Sequence, residues 1–186
     1  ARKGALAVTE SRFTGAARRA LTDVYINATT NKNVSPADLQ GQLDDVVLSF
    51  SSSLSDVDPL SGAKVDASLS LVANSMMQTY SKTFATRQAT ANKSAALARV
   101  PGHIEGIKAV IGAGGDDYQT KVSALRSVLA NDLNNAGVTA SKYKTVMASV
   151  DTAIQSTIGG VVQNYARDLV VKPADSLAVL KQFDKG

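Results

Sequence analysis

Few side chains in this sequence can carry a reaction. His103 is the only histidine in 186 residues and cysteine is absent, so thiolate nucleophiles, disulfides and a His/Cys transition-metal site have no residues to build them. His103 follows Pro101-Gly102, where a solvated or capping imidazole is expected ahead of a catalytic one. Asp44-Asp45, Asp56, Asp58 and Asp116-Asp117 offer the oxygens that calcium or magnesium takes, but their spacing does not follow a calcium loop and helix capping accounts for several of them. Gly112 to Asp117 has the glycine content of a phosphate-binding loop. It lacks a following Gly-Lys-Ser/Thr and a preceding strand, and it places two acids where the anion would sit. No catalytic, cofactor-binding or metal-binding residue is therefore assigned: the expectation is a chain that is not an enzyme, needs no cofactor and takes no small-molecule substrate.

Binding chemistry is somewhat richer. The formal net charge is only +4, but the charges are sorted along the chain. Arg2, Lys3, Arg12, Arg18 and Arg19 face only Glu10 in the first twenty residues, and Asp44, Asp45, Asp56, Asp58 and Asp66 cluster around a single Lys64. Lys82, Arg87, Lys93, Arg99 and Lys108 form a second basic stretch. Opposite exposed fields of this kind can steer copies of a chain together or attract an anionic partner, although solvated helix faces account for them as well. No aromatic-interleaved platform or helix-turn-helix signature accompanies the basic residues, so base recognition has no support. Asn27-Ala28-Thr29, Asn33-Val34-Ser35 and Asn92-Lys93-Ser94 fit the glycosylation triplet, which matters only in a secreted chain.

The elements that position these residues read as helices throughout. Residues 1–8 carry too little pattern to place and are expected to be a tail or linker, with Thr9 or Ser11 capping a first helix along Phe13, Ala17, Leu21, Val24 and Ala28. Ser35-Pro36-Ala37-Asp38 is a strong start signal for the next helix: Ser35 caps, Pro36 needs no N–H there, and Asp38 complements the positive helix end. Leu39, Leu43, Val46, Val47, Phe50 and Leu54 continue it, with the serines of 49–55 making a weak segment. Beyond the turn at Asp58-Pro59, Val65 to Phe84 makes a long central helix and Ala85 to Ala98 a weaker continuation that Pro101-Gly102 ends. A short helix follows through Ile104 to Ile111, and Gly112 to Gly115 is a hinge. Asp116 or Asp117 caps a helix through Leu125, Val128, Leu129 and Leu133. Gly137 and Thr139 lead to another through Tyr143, Val146, Met147, Val150 and Ile154. Gly159-Gly160 interrupts before Val161 to Leu169, and Pro173 starts a last helix along Leu177, Leu180 and Phe183.

The fold class is all-α, a compact bundle of seven or eight helices with no strand alternation, in one domain spanning 9–186. No apolar run approaches the roughly 20 residues of a membrane span. The chain opens at Ala1 without a charged-then-apolar leader, which fits an unexported protein or a mature or excised piece. Residues 21–54 and 125–158 are related by a gapless shift of 104, with identities at Leu21/Leu125, Val24/Val128, Asn27/Asn131, Asn31/Asn135, Val34/Val138, Val46/Val150 and Ser52/Ser156. An internal duplication and the common periodicity of any two helix hairpins both explain this.

One stretch also resembles a known family. Ala113 to Val150, AGGDDYQTKVSALRSVLANDLNNAGVTASKYKTVMASV, resembles the folded repeat units of spider silk proteins, the spidroins, particularly those of aciniform and pyriform-like wrapping or attachment silks. Asn135-Ala136-Gly137-Val138 and Ala140-Ser141 carry most of the likeness, over about a fifth of the chain, and Leu21 to Leu54 is a fainter second instance. The chain departs from the pattern in carrying more Lys, Arg and Asp and no long Ser, poly-Ala or Gly-rich runs, which tilts the likeness toward a charged attachment silk. The resemblance implies an extracellular, secreted, non-catalytic structural repeat that stores as soluble helices, associates with neighbouring copies and assembles into fibres. The alternatives are a helical coat protein of a filamentous virus, binding nucleic acid through basic helix faces, and a non-enzymatic helical linker or adaptor.

Overall fold

A computed structural model describes residues 2–169, 180, 181 and 183. Among the described residues there are five helices, α1 (Arg2–Thr30), α2 (Pro36–Ser55), α3 (Pro59–Ala113), α4 (Tyr118–Asn135) and α5 (Ala140–Asp168), and no strand. The all-α class stands, with five helices among the described residues in place of the expected seven or eight.

Two fusions, at Pro101 and at Gly159-Gly160, lower the count, and the first helix also begins earlier than expected. Residues 2–8 are helical rather than a tail, so Thr9 and Ser11 sit inside α1 instead of capping it. The central helix, its weak continuation and the short helix beyond Pro101 are one element, α3. Pro101 and Gly102 face solvent, while Ala96, Val100, Ile107 and Ile111 are buried on either side. Burial on both flanks outweighs the roughly 3 kcal/mol that an interior proline costs. Gly159 and Gly160 likewise lie on the exposed side of a continuous α5, with open space around both. The expected helix from Pro173 falls largely outside the described residues.

Packing divides the chain into two compact units, Ala1–Arg87 and Gln88–Gly186. In unit 1, α1, α2 and the first half of α3 surround Ala17, Leu21, Leu39, Leu43, Leu54, Val65, Leu69 and Tyr80. The α1–α2 connection is held from α3, because the Tyr80 hydroxyl donates to the Val34 carbonyl at 2.7 Å, with the Ala28 carbonyl 3.3 Å away. Ser35 and Asp38 form a reciprocal capping box at the start of α2, with Pro36 in the first turn. Asp58 accepts from the Ser61 N–H at 3.1 Å and so starts α3. The serine-rich end of α2 is better held than its composition suggests, since Ser51 and Leu54 are buried and a side chain at Gly62 would overlap Ser55.

In unit 2 the second half of α3 packs with α4 and α5 around Ala96, Ile107, Ile111, Tyr118, Leu129, Leu133, Met147 and Val150. The glycine hinge is a turn in which Gly114 and Gly115 take φ of 66° and 102°, values that side chains resist. Asp117 occupies the N-cap position of α4 without a side-chain capping bond, and its carboxylate meets Lys121 at 2.9 Å instead. Thr139 is at the N-cap of α5, also without a side-chain cap bond.

The two related hairpins agree in one half and differ in the other. Their second helices begin at Pro36 and Ala140 after extended cap residues, and Leu43 and Met147 are both buried. Their first helices bury different faces: Ala17, Leu21 and Ala28 match Tyr118, Val122 and Leu129 at a shift of 101, and Val128 is 54% exposed where Val24 is half-buried.

Candidate functional site

The turn joining α4 to α5 is built by the residues that carry the spidroin likeness. Gly137 has φ 67°, its N–H bonds the Asn134 carbonyl at 2.9 Å, and the Val138 N–H returns to the Leu133 carbonyl at 3.0 Å. This six-to-one closure satisfies carbonyls that a helix end leaves orphaned, and it needs a left-handed residue after the cap. Val138 is half-buried against the unit 2 core, so the turn also fixes how the chain enters α5. Unit 1 has no left-handed residue in its hairpin; there the Val34 N–H bonds the Asn31 carbonyl at 3.3 Å and the Tyr80 hydroxyl donates to the Val34 carbonyl.

Two arginine clamps tie α4 to its neighbours. Arg99 of α3 bonds Asp132 through Nε at 3.0 Å and a terminal nitrogen at 2.6 Å, and Arg126 bonds Asp151 of α5 at 2.9 and 3.1 Å. These bidentate pairs fix orientation as well as attraction. The Arg99 hydrogen bonds hold the Asp132 carboxyl below the usual carboxylate range against the opposing effect of burial, and the charges of Arg99 and His103 lower it further. Asp132 raises Arg99 in return, and the hydrogen bonds that Arg126 donates to Asp151 raise Arg126. His103 is therefore placed one turn beyond Arg99 in α3, half-buried, rather than in a loop or at a helix start.

The aspartates are dispersed into local roles. Asp38 is lowered by the Ser35 side chain and backbone, and Asp58 by Ser61. Asp44 accepts from Gln40 at 2.7 Å, and Asp117 is paired with Lys121. Among the described residues no three His, Asp or Glu side chains converge as a metal site. Much of the second basic stretch is engaged within the fold. Arg87 reaches the Thr29 carbonyl at 3.4 Å, near the negative end of α1. Arg99 holds Asp132 and Lys108 holds Glu105 at 2.8 Å, while Lys93 lies beside Gly137. On α1, Arg18 lies 3.5 Å from the Ser68 hydroxyl, whereas Arg12 and Arg19 project to solvent. Asn27, Asn33 and Asn92 are exposed, the first in the last turn of α1, the second in the following loop and the third on α3.

Sequence reasoning missed a groove of about 430 Å³ in unit 2, lined by Ile111, Tyr118, Val122, Ile154, Ile158 and Phe183 with Arg126 at its edge. Phe183 lies with its ring 5.0 Å from that of Tyr118. Ile111, Ile154 and Phe183 lie on apolar stripes read from the sequence, but Tyr118, Val122 and Ile158 lie on none of them, and the convergence of these walls depends on the glycine turn at 114–115. No helix among the described residues is long and apolar enough to cross a membrane. No protein family, curated protein or solved structure matches the chain.

Proposed function

We propose that the chain is a non-catalytic structural unit of a secreted, silk-type fibre protein, acting through packing and contact with other copies of itself. The observation that carries this reading is the α4–α5 turn: Asn135-Ala136-Gly137-Val138, the core of the spidroin likeness, is the segment whose backbone closes the hairpin. The likeness thus rests on residues with a definite folding role rather than on shared alanine and serine content. Arginine–aspartate clamps and small-residue helix contacts suit a soluble helical store that associates with neighbours.

Two measurements test the reading. Flanking coding sequence should contain tandem near-copies of this unit, and concentrated protein under shear should form fibres with loss of helical infrared absorption. A lone reading frame whose product stays helical and dispersed under shear overturns it, as does turnover of a substrate or stoichiometric metal binding by purified protein. Salt-dependent binding of DNA or RNA, in which phosphate contacts release counterions, would instead favour a nucleic-acid-packing coat protein.

A further inference from the structure

We propose that unit 1 carries two complementary halves of a self-association contact, the outer face of α1 in one copy docking on the outer face of α2 in the next. This deepens the fibre-protein reading above and rests on it for its biological consequence. The contact itself is argued from the distribution of charge and exposure in unit 1.

On α1, Arg12, Ala16 and Arg19 recur at helical spacing and are all exposed. Neither arginine has a partner among the described residues, in contrast to Arg18 and Arg87. On α2 the charge is reversed, because no Lys or Arg occurs between Lys32 and Lys64. Asp45 and Asp56 lie eleven residues apart, three helical turns, and so share one side. Both are exposed and have no side-chain partner among the described residues. Leu48 lies near that side and is 64% exposed, an apolar group in an acidic setting.

The spacings are compatible with antiparallel docking. Arg12 and Arg19 are separated by about 10.5 Å of helix rise and Asp45 and Asp56 by about 16.5 Å. With Arg19 directly opposite Asp45, Arg12 lies about 6 Å along the axis from Asp56, within the reach of its side chain. Leu48 then lies over Ala16, whose small size lets the helices approach. Asp23, the acid on the α1 stripe, falls beyond Asp45 opposite the uncharged Gly41. Because the two faces differ, the contact is heterologous: a docked copy still presents one unused face of each kind, so addition can continue without closing a dimer. A single helix face is small, so each contact is weak and its strength depends on charge and on repetition.

Sedimentation of the full chain tests this. At about 0.01 M salt, where screening extends about 30 Å, the weight-average mass should rise with concentration, and it should fall to the monomer value at about 1 M, where screening is about 3 Å. The variants R12E/R19E and D45K/D56K, checked for unchanged helicity by circular dichroism, should each remain monomeric alone. Their equimolar mixture, and the chain combining all four changes, should recover association. If a reversal lowers helicity, R12Q/R19Q and D45N/D56N take its place with the same expected loss. A wild-type chain that stays monomeric at low salt overturns the proposal, as does undiminished association of the reversal variants. The latter result would remove this surface while leaving the fibre-protein reading to its own tests of tandem repetition and shear response.

Discussion

At Gly62 an added Cβ would lie 2.8 Å from the Ser55 Cα as well as overlapping the Ser55 side chain, so rotating the serine cannot make room. Gly62→Ala should therefore destabilise the protein by about 1–3 kcal/mol in urea titrations, as overpacking in a close helix contact does. An unchanged midpoint would mean that α2 and α3 separate there without strain. Asp132 makes a second residue-level prediction. Its carboxyl is held below its ordinary value by Arg99, so the clamp contributes stability above the unfolded carboxylate value near 3.8 and loses it as pH falls through the lower folded value. Melting temperature should fall as pH drops below about 4. Asp132→Asn should flatten part of that fall, whereas an identical acid profile in the variant would exclude the clamp as a contributor. Both predictions concern features that single-sequence reading could not reach. Gly62 follows the Asp58-Pro59 turn with no signal of a close helix contact, and the partner of Asp132 lies 33 residues earlier.

The elements were legible where a local signal had no competitor. Ser35-Pro36-Ala37-Asp38 marks the start of α2, and Gly137 marks the end of the α4 hairpin turn, because capping and left-handed geometry are decided within a few residues. Local signals failed at Pro101 and at Gly159-Gly160, where the breakers lie on exposed faces of helices anchored by buried residues elsewhere. The intrinsic costs remain in the folded protein and can be recovered. Pro101→Ala should restore a backbone donor to the middle of α3 and stabilise by about 1–3 kcal/mol, the proline cost less the entropy the unfolded chain regains. Gly159→Ala and Gly160→Ala meet nothing within 4 Å and should each add about 0.5–1 kcal/mol. The direction of the shift in urea midpoint checks all three; destabilisation at Pro101 would indicate that the proline favours a bend the unit 2 packing uses. The groove beside Phe183 belongs to the same scale. Ile111, Ile154 and Phe183 were on predicted apolar stripes, but Tyr118, Val122 and Ile158 were not, and the Gly114-Gly115 turn brings α3 and α4 together to form it.

Across the whole molecule, burial is concentrated in two clusters, one ending at Tyr80 and the other beginning at Ala96, with no buried residue between them. The intervening turns of α3 are helical because alanine-rich segments propagate from folded flanks at little cost, whereas starting a helix there in isolation would be unfavourable. The weakness of this segment was readable from its sequence; its place between two cores was not, since periodicity reports which face of a helix is apolar and not which helices cover it. Amide hydrogen exchange should therefore be slow over 65–80 and 96–111 and faster over 82–93, although all three segments belong to one helix, because opening free energy follows local burial. The serine-rich end of α2 should exchange slowly with its unit, since Ser51 and Leu54 are buried. Leu43→Ala and Leu129→Ala remove fully buried side chains from unit 1 and unit 2 respectively, each at a cost of about 2–5 kcal/mol. Each should speed exchange chiefly within its own unit, with the fast segment marking where the effect ends. Uniform protection along α3, or equal loss in both units from either truncation, would mean that the two cores open together and that cooperativity passes through the exposed turns.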